Sequence, residues 1–313
     1  MLLGRRASGV PPPHSRAVRV LMLVTTWGAR AAWLATAVLG GAAIGDAVAT
    51  RSWPVQDVAT IGAWVAWAAG AVALAVPSVS TLTAARVIVP GAMVVAGAAA
   101  IGGADPGPLL NLVVPAIVAA VLTGAAETGR MWVQASAYGD EQRFPLRPPL
   151  GYLAACVATW LGWTSALVIA PLAWAAQAWV LAVATTAVTA FGARVLPRRW
   201  HQLSRRWIVA VPAGLVIHDP VVLGETFMLA RHEIAAVALA DLGPGVVAGA
   251  ADLTGPTPGL AVEVQLRDVV TAMLAPTAAH PQGQAIPVRA LLVSPSRPGA
   301  LLVEACRRRL ATR

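Results

Sequence analysis

Long apolar segments alternate with short polar ones over the first two thirds of the chain. A transmembrane helix needs roughly 20 apolar residues to cross about 30 Å of hydrocarbon. Six segments reach that length, and prolines mark their boundaries, as is typical of helix ends. The pattern therefore predicts six membrane-spanning helices, at about 29–49, 58–76, 82–103, 109–126, 150–171 and 173–196.

Arginine residues lie almost entirely on one side of these predicted spans. They precede the first span, follow the sixth and fill the loop between the fourth and fifth, whereas the opposite side has only Arg51. Cytoplasmic loops of membrane proteins are enriched in basic residues, and an even number of spans places both termini on one side. We therefore expect a multi-pass plasma-membrane protein with both termini cytoplasmic. Its parts would be a tail (1–28), a transmembrane domain (29–196), a basic junction (197–206) and a cytoplasmic domain (207–313).

The apolar stretches become short after the sixth span. Pro212, Gly214 and Pro220 interrupt them, so that no uninterrupted piece is long enough to cross a membrane. Short β-branched stretches between turn residues are typical of strands and hairpins. The pattern predicts turns at 212–214 and at Arg267-Asp268, and strands at about 207–211, 215–218, 226–230, 234–240, 260–266, 269–274 and 285–293.

Two further elements complete the prediction for this region. The Gly- and Pro-rich stretch 243–259 is expected to be a long loop, which leaves the strand register around it open. The stretch 294–310 is predicted to be a helix that Ser296 caps, with Pro298 in its first turn and arginines at its negative end. Its buried face would carry Leu302, Cys306 and Leu310.

Three stretches of this region carry a resemblance to the bacterial pleckstrin-homology-like (PH-like) domain. They are RRWIVAVPAGLVIHD (205–219), FMLARHEIAAVAL (227–239) and RPGALLVEACRRRL (297–310). The resemblance implies a bent β-barrel that a C-terminal helix closes at one end. The expected fold class is therefore an α-helical membrane bundle of six spans followed by a cytoplasmic β-barrel-like domain with a C-terminal helix. The whole chain also resembles multi-span membrane proteins of actinobacteria, which implies no activity.

Composition narrows the classes of function. Only 12% of the 313 residues are charged and 58% are apolar, whereas soluble domains are about one quarter charged. The net charge of +9 comes from arginines beside the apolar segments, so it indicates a membrane surface and not a nucleic-acid partner. Cys156 and Cys306 lie far apart and have the spacing of neither a metal site nor a disulfide framework.

The sequence contains no recognisable catalytic motif. His232-Glu233 lacks the second histidine of a zinc-protease helix, and no phosphate-binding glycine loop or nucleophile elbow occurs. The ionisable residues Arg30, Asp46 and Arg86 lie near span ends, where the membrane interface accommodates them. We therefore predict a protein that is not an enzyme and that binds no cofactor or metal.

Two polar regions are candidate binding sites. A basic cluster after the sixth span is predicted to face anionic lipid, and its members are Arg198, Arg199, Arg205 and Arg206. The loop 127–149 is either a docking site for the cytoplasmic domain or a protein partner, or an ordinary solvated loop. Its candidate docking residues are Tyr138, Asp140, Glu141, Arg143, Phe144 and Arg147.

These features leave three hypotheses for the function. The first is a non-enzymatic membrane protein whose PH-like domain binds a protein partner or anionic lipid at the cytoplasmic face, for example in envelope-associated assembly. The second is a small transporter or channel with a cytoplasmic regulatory domain. It would need a polar cavity lined by groups such as Asn111 and Gln177, beside spans that Pro90 and Pro115 interrupt. The third, an intramembrane enzyme, has no visible acid, base or metal set.

Overall fold

Long apolar helices form the N-terminal two thirds of the protein. The computed structural model describes residues 13–240 and 250–312, with side chains from residue 20 onward. Six helical stretches are long and apolar enough to cross a membrane, which confirms the predicted number of spans. The helices are α1 (Pro13–Val48), α2 (Trp53–Ala75), α3 (Val79–Ile88), α4 (Gly91–Gly102), α5 (Pro106–Gly124), α6 (Ala126–Ala135), α7 (Leu150–Ala175), α8 (Trp179–Ser204) and α9 (Pro298–Arg307).

The two prolines inside predicted spans act differently. Pro90 separates the third span into α3 and α4, as predicted. Pro115 lies inside α5, which continues through it, so the predicted interruption of the fourth span is wrong. A transmembrane helix tolerates an internal proline because neighbouring groups satisfy the freed backbone carbonyl.

Two helices extend beyond the predicted spans at the basic end of the bundle. Helix α1 begins at Pro13, within the segment predicted as a tail, and residues 1–12 lie outside the described part. Helix α8 continues to Ser204, so most of the predicted junction 197–206 is helical. The hydroxyl of Tyr152 in α7 contacts Gln202 Oε1 at 2.9 Å, which ties the last turns of α8 to the neighbouring span.

Tryptophan indoles connect the first two spans. Trp33 Nε1 donates to the carbonyl of Trp67, and Trp67 Nε1 donates to the carbonyl of Trp33, both at 3.0 Å. A Cβ on Gly70 would lie 2.5 Å from the Trp33 ring, so glycine permits this close approach. Arg30 Nε donates to the carbonyl of Leu74 at 2.8 Å, near the C-terminal end of α2. A helix-terminal carbonyl thus accepts a hydrogen bond from the side chain of this arginine.

Two four-stranded sheets and α9 make up the C-terminal region. One sheet has the order β1-β2-β3-β4 and is antiparallel throughout; the other has the order β5-β7-β8-β6, with β6 parallel to β8. Among the described residues the sheets do not close into a barrel, so that expectation was wrong. The strands are β1 (Gln142–Pro145), β2 (Trp207–Val211), β3 (Gly214–His218), β4 (Phe227–Ala230), β5 (Ile234–Leu239), β6 (Ala250–Asp252), β7 (Val262–Leu274) and β8 (Gln284–Val293).

One apolar core joins the two sheets and α9. Its members alternate along the strands, because successive side chains of a strand point to opposite faces. They include Ile208, Leu215, Ile217, Leu229, Val264, Leu291 and Leu301, which are all buried. The turn at Pro212-Ala213 is where the sequence predicted it, and Val211 pairs with Gly214 across it.

Two predicted features of this region need correction. Strand β7 is continuous, and Arg267-Asp268 lies where its register shifts against β8, so the predicted turn is a bulge. The predicted loop 243–259 contains β6, while its residues 243–249 lie outside the described part. Strand β6 forms because its backbone pairs with β8, a strand distant in the sequence.

The terminal helix starts later than predicted. Arg297 and not Ser296 occupies its N-cap position. Ser296 instead donates its backbone N–H to the carbonyl of Pro145 at 2.8 Å. The buried face of the helix carries Leu301 and Ala305. Leu302 is only partly buried and Cys306 is exposed, so the predicted buried face was wrong at Cys306. Leu310 is buried as predicted.

Candidate functional site

The polar segment between α5 and α7 is built into the C-terminal sheets. Its strand β1 pairs with β2 in a register that places Gln142 opposite Ala210 and Pro145 opposite Trp207. The side chain of Phe144 is buried in the same core as Ile208. The sheet region therefore includes a strand from the membrane-spanning part of the sequence.

Backbone hydrogen bonds extend this pairing beyond β1. The N–H of Leu146 donates to the carbonyl of Arg206 at 3.0 Å, and the N–H of Arg147 donates to the carbonyl of Ser294 at 2.8 Å. The Arg147 guanidinium also donates to the carbonyl of Leu260. Burial lowers the pKa of this arginine. The start of α7, the start of β2 and the end of β8 thus meet at one point.

Helix α6 covers the outer edge of β1. The side-chain amide of Gln134 accepts from the N–H of Arg143 at 2.8 Å and donates to the carbonyl of Glu141 at 2.9 Å. An amide in this position replaces a missing neighbouring strand, and such coverage protects a sheet edge from pairing with other chains. Trp132, on the same helix, is fully buried beside Leu82 of α3. Helix α6 therefore lies between the bundle and the sheets and contacts both.

Ion pairs connect α6 and its following loop to α9. Glu127 at the start of α6 pairs with Arg297. Asp140, beyond its end, accepts from Arg308 Nη2 at 3.0 Å. Arg308 also contacts Glu304 at 2.6 Å. These pairs hold the segment against α9 at both ends.

The environment of Glu304 makes this contact sensitive to acid. Burial raises the pKa of the Glu304 carboxyl, but hydrogen bonds from Arg307 and Arg308 outweigh burial, so that the pKa lies below its ordinary value. A carboxyl with a lowered pKa in the folded state stabilises that state above its unfolded-state pKa, and the stabilisation is lost as the pH falls through the folded-state pKa.

We therefore expect Glu304→Gln to flatten the acid side of the stability profile. The wild-type sheet region should lose stability as the pH falls below about 4, because the Glu304 carboxylate becomes protonated and its ion pairs with Arg307 and Arg308 weaken. The glutamine of the variant does not titrate, so the variant should not show this loss. Thermal unfolding of the sheet region across a pH series measures this difference. Glu225→Gln, at an exposed glutamate on the β3–β4 connection, is the matched control. Parallel profiles for wild type and Glu304→Gln below neutral pH would contradict the assignment.

A buried ion pair lies where β2 and β3 approach the bundle. Arg206 Nε and Nη2 donate to the two carboxylate oxygens of Asp219, each at 2.7 Å, and the two side chains are 0% and 1% exposed. Arg206 Nη1 donates to the carbonyl of Arg147 at 2.6 Å. Arg206 is therefore unable to face lipid, and its place in the predicted basic cluster was wrong.

The rest of that basic cluster is exposed. Arg198 and Arg199 lie on the last turns of α8, and Arg205 is its C-cap residue. Arg205 Nη2 lies 3.3 Å from His218 Nε2, and the His218 ring stacks on Trp207 with 5.0 Å between ring centroids. Burial lowers the pKa of His218, and the positive charge of Arg205 adds to that effect. The lowered pKa favours the uncharged imidazole beside Arg205.

The six predicted docking residues do not form one surface. Phe144 is buried, Arg147 donates to the carbonyl of Leu260, and Glu141 accepts from the Arg143 guanidinium at 2.6 Å. Asp140 and Tyr138 are exposed, and Tyr138 is 91% accessible. Phe144 and Arg147 therefore join the loop to the sheet region, and Asp140 joins it to α9 through Arg308.

Three residues that hold this junction together are not among the predicted site residues: Glu127, Gln134 and Asp219. Asp219 was predictable from the Pro212-Ala213 turn, because continuing the β2–β3 register by one residue places Asp219 opposite Arg206. No sequence signal distinguishes Gln134 from an ordinary surface glutamine.

Within residues 13–240 and 250–312, no group of three His, Cys, Asp or Glu side chains is placed to hold a metal ion. Cys156 is buried, Cys306 is exposed, and both are free thiols. Comparison of the chain with protein-family models, with curated proteins and with solved structures finds no match.

Proposed function

We propose that this is a non-enzymatic integral membrane protein that holds a PH-like domain at the cytoplasmic face of the plasma membrane, where the domain binds anionic lipid and a protein partner. The observation that carries the proposal is the insertion of β1 from the inter-span segment into the sheet region. This pairing, together with the Glu127–Arg297 contact, couples the sheets to the bundle at a fixed distance. A domain joined only by a flexible linker would have no such constraint.

The PH-like assignment is supported by the order of elements. Two sheets, one of them antiparallel throughout, share a core with a C-terminal helix. Cytoplasmic placement is supported by the arginine distribution of the sequence. A binding role is favoured over catalysis because the acidic residues of the junction, Glu127, Asp219 and Glu304, are all engaged in ion pairs with arginines.

The exposed arginines at the end of α8 supply the lipid contact in this proposal. Arg198 and Arg205 are seven residues apart and so lie on the same helical face, two turns from each other. Strand β2 begins at Trp207, directly after this turn, so these arginines lie where the bundle meets the sheets. An arginine near an anionic membrane surface contributes roughly 1 kcal/mol of attraction.

We expect the triple variant Arg198→Gln, Arg199→Gln and Arg205→Gln to retain less anionic lipid. Three lost attractions of roughly 1 kcal/mol each correspond to a fall in lipid affinity of about two orders of magnitude at most. Native mass spectrometry of the full chain with added phosphatidylglycerol or phosphatidylcholine measures the bound lipid. The matched control changes Arg267 and Arg289, two exposed arginines of the β5-β7-β8-β6 sheet, to glutamine. Equal phosphatidylglycerol retention by the triple variant and wild type would refute the lipid contact.

A further inference from the structure

An arginine-lined cleft lies at the end of the sheet region that is remote from the bundle. Its volume is about 310 Å³, and its lining residues are Asp140, Pro212, Arg231, Arg307, Arg308 and Arg309. That volume is at the small end of the range for ligand pockets, about 300 to 1,000 Å³. The cleft therefore accommodates a few side chains or one small group.

The position of Pro212 places this cleft away from the membrane-spanning helices. Pro212 follows the last residue of β2, whose first residue, Trp207, comes shortly after the end of α8. Five residues of strand extend about 16 Å at 3.3 Å per residue. The cleft and the exposed arginines of α8 thus lie at opposite ends of β2.

The charges that line the cleft are only partly neutralised. Arg307 and Arg308 both pair with Glu304, and Arg308 also pairs with Asp140. Among the described residues the Arg231 side chain makes one hydrogen bond, from Nη2 to the carbonyl of Pro212 at 3.0 Å. The Arg309 side chain is exposed and makes no hydrogen bond to any described residue. Within the described part of the chain, Arg231 and Arg309 therefore keep guanidinium donors for an incoming anion.

The backbone at Arg309 is better suited to glycine than to arginine. The N–H of Leu310 donates to the carbonyl of Ala305 and that of Arg309 to the carbonyl of Cys306, both at 2.9 Å, and Arg309 has φ +56°. This is the Schellman arrangement, in which a left-handed residue follows the helix and is usually glycine. A side chain there costs conformational energy, and within the described chain no contact of the Arg309 guanidinium offsets that cost.

The lining of the cleft determines the chemistry that it recognises. Pro212 is its one apolar member among the described residues, and no aromatic ring is available to stack on a base or a sugar. Guanidinium groups bind carboxylates through paired, charge-assisted hydrogen bonds. Because β2 separates the cleft from the membrane-spanning helices by about 16 Å, a protein chain reaches it more readily than a lipid headgroup does. Resting on the binding role proposed above, we propose that this cleft binds an acidic, Asp- or Glu-rich segment of a protein partner.

The test uses the full chain in nanodiscs of neutral phosphatidylcholine and a fluorescently labelled poly-glutamate peptide as the probe. We expect saturable binding at low salt that weakens as salt is added. Arg309→Gly should weaken binding about tenfold through the loss of charge-assisted hydrogen bonds. The same substitution should raise the melting temperature of the sheet region, because glycine relieves the left-handed backbone. A purely structural role for Arg309 would not give these opposite changes.

Arg289→Gln, at an exposed arginine of β8, is the matched control and should leave peptide binding unchanged. Equal weakening by Arg289→Gln would show non-specific attraction and overturn the proposal. Displacement of the peptide by inorganic phosphate at lower concentration than by free glutamate would overturn the carboxylate assignment. Absence of peptide binding at low salt would also overturn it. The peptide test uses a neutral bilayer and leaves the arginines of α8 unchanged. A failure of peptide binding is therefore distinguishable from a failure of the proposed lipid contact.

Discussion

Asp219→Ala is expected to destabilise the sheet region by about 3 to 5 kcal/mol, because it leaves the buried Arg206 guanidinium without its carboxylate. The guanidinium of Arg206 would keep its hydrogen bond to the carbonyl of Arg147, but a carbonyl does not neutralise the charge of the guanidinium. Asp219 also accepts from the backbone N–H of Val221 at 3.1 Å, so the β3–β4 connection loses a bond as well. Faster hydrogen exchange in β2 and β3 of the solubilised full chain would report this loss.

Two further variants separate the charge effect from a general loss of packing. Asp268→Ala removes an exposed carboxylate at the β7 bulge and should leave exchange unchanged. The double variant Arg206→Met and Asp219→Leu replaces the pair by apolar side chains and should recover most of the stability, because such replacements of buried ion pairs are often neutral. Equal exchange rates in Asp219→Ala and wild type would show that the pair contributes little.

The spans and the β2–β3 hairpin were predictable because their signals are local. Hydropathy over about 20 residues identifies a transmembrane helix whatever it packs against. Pro212 and Gly214 specify a turn within a few residues, and Gly214 has φ +153° where a Cβ would lie 2.0 Å from the carbonyl oxygen of Leu229. Neither signal depends on residues far away in the sequence.

Strand β1 and the buried state of Arg206 were not predictable from local signals. Strand β1 has two polar residues followed by Phe144 and Pro145, so it shows no regular alternation of apolar and polar positions. Its conformation comes from pairing with β2, which follows two complete spans later. Composition likewise cannot distinguish an arginine that faces lipid from one that a carboxylate satisfies. The predicted basic cluster combined three exposed arginines with the buried Arg206, and only the pairing of β2 with β3 separates them.

Seven arginines of the sheet region and its junction with the bundle thus fall by location into three groups with different consequences. Arg206 and Arg308 are buried in ion pairs and stabilise the junction. Arg198, Arg199 and Arg205 are exposed near the bundle, and Arg231 and Arg309 are exposed at the far end of the sheets. A protein bound at the far end would therefore not compete for space with lipid at the near end.

A fragment of residues 205–313 alone, which keeps Arg206 for its ion pair with Asp219, is expected to be much less stable than a fragment that also carries β1. Without β1, the core loses Phe144 and Leu146, and β2 becomes an open sheet edge. Removing a buried phenylalanine side chain alone costs about 3 to 5 kcal/mol. An unpaired apolar edge also promotes aggregation.

The stabilised fragment joins residues 138–147 through a short glycine linker to residue 205. This connection is feasible because Pro145 and Trp207 are paired neighbours at the same end of β1 and β2. Circular dichroism with thermal unfolding should show a cooperative β-rich transition for this fragment and a lower or absent one for 205–313. The matched control carries Phe144→Ser in the joined strand and should unfold at a clearly lower temperature than the joined fragment, since it keeps the backbone pairing but lacks the buried ring. If 205–313 unfolded cooperatively at the same temperature as the joined fragment, β1 would be a peripheral contact, and the coupling that carries the proposed function would be lost.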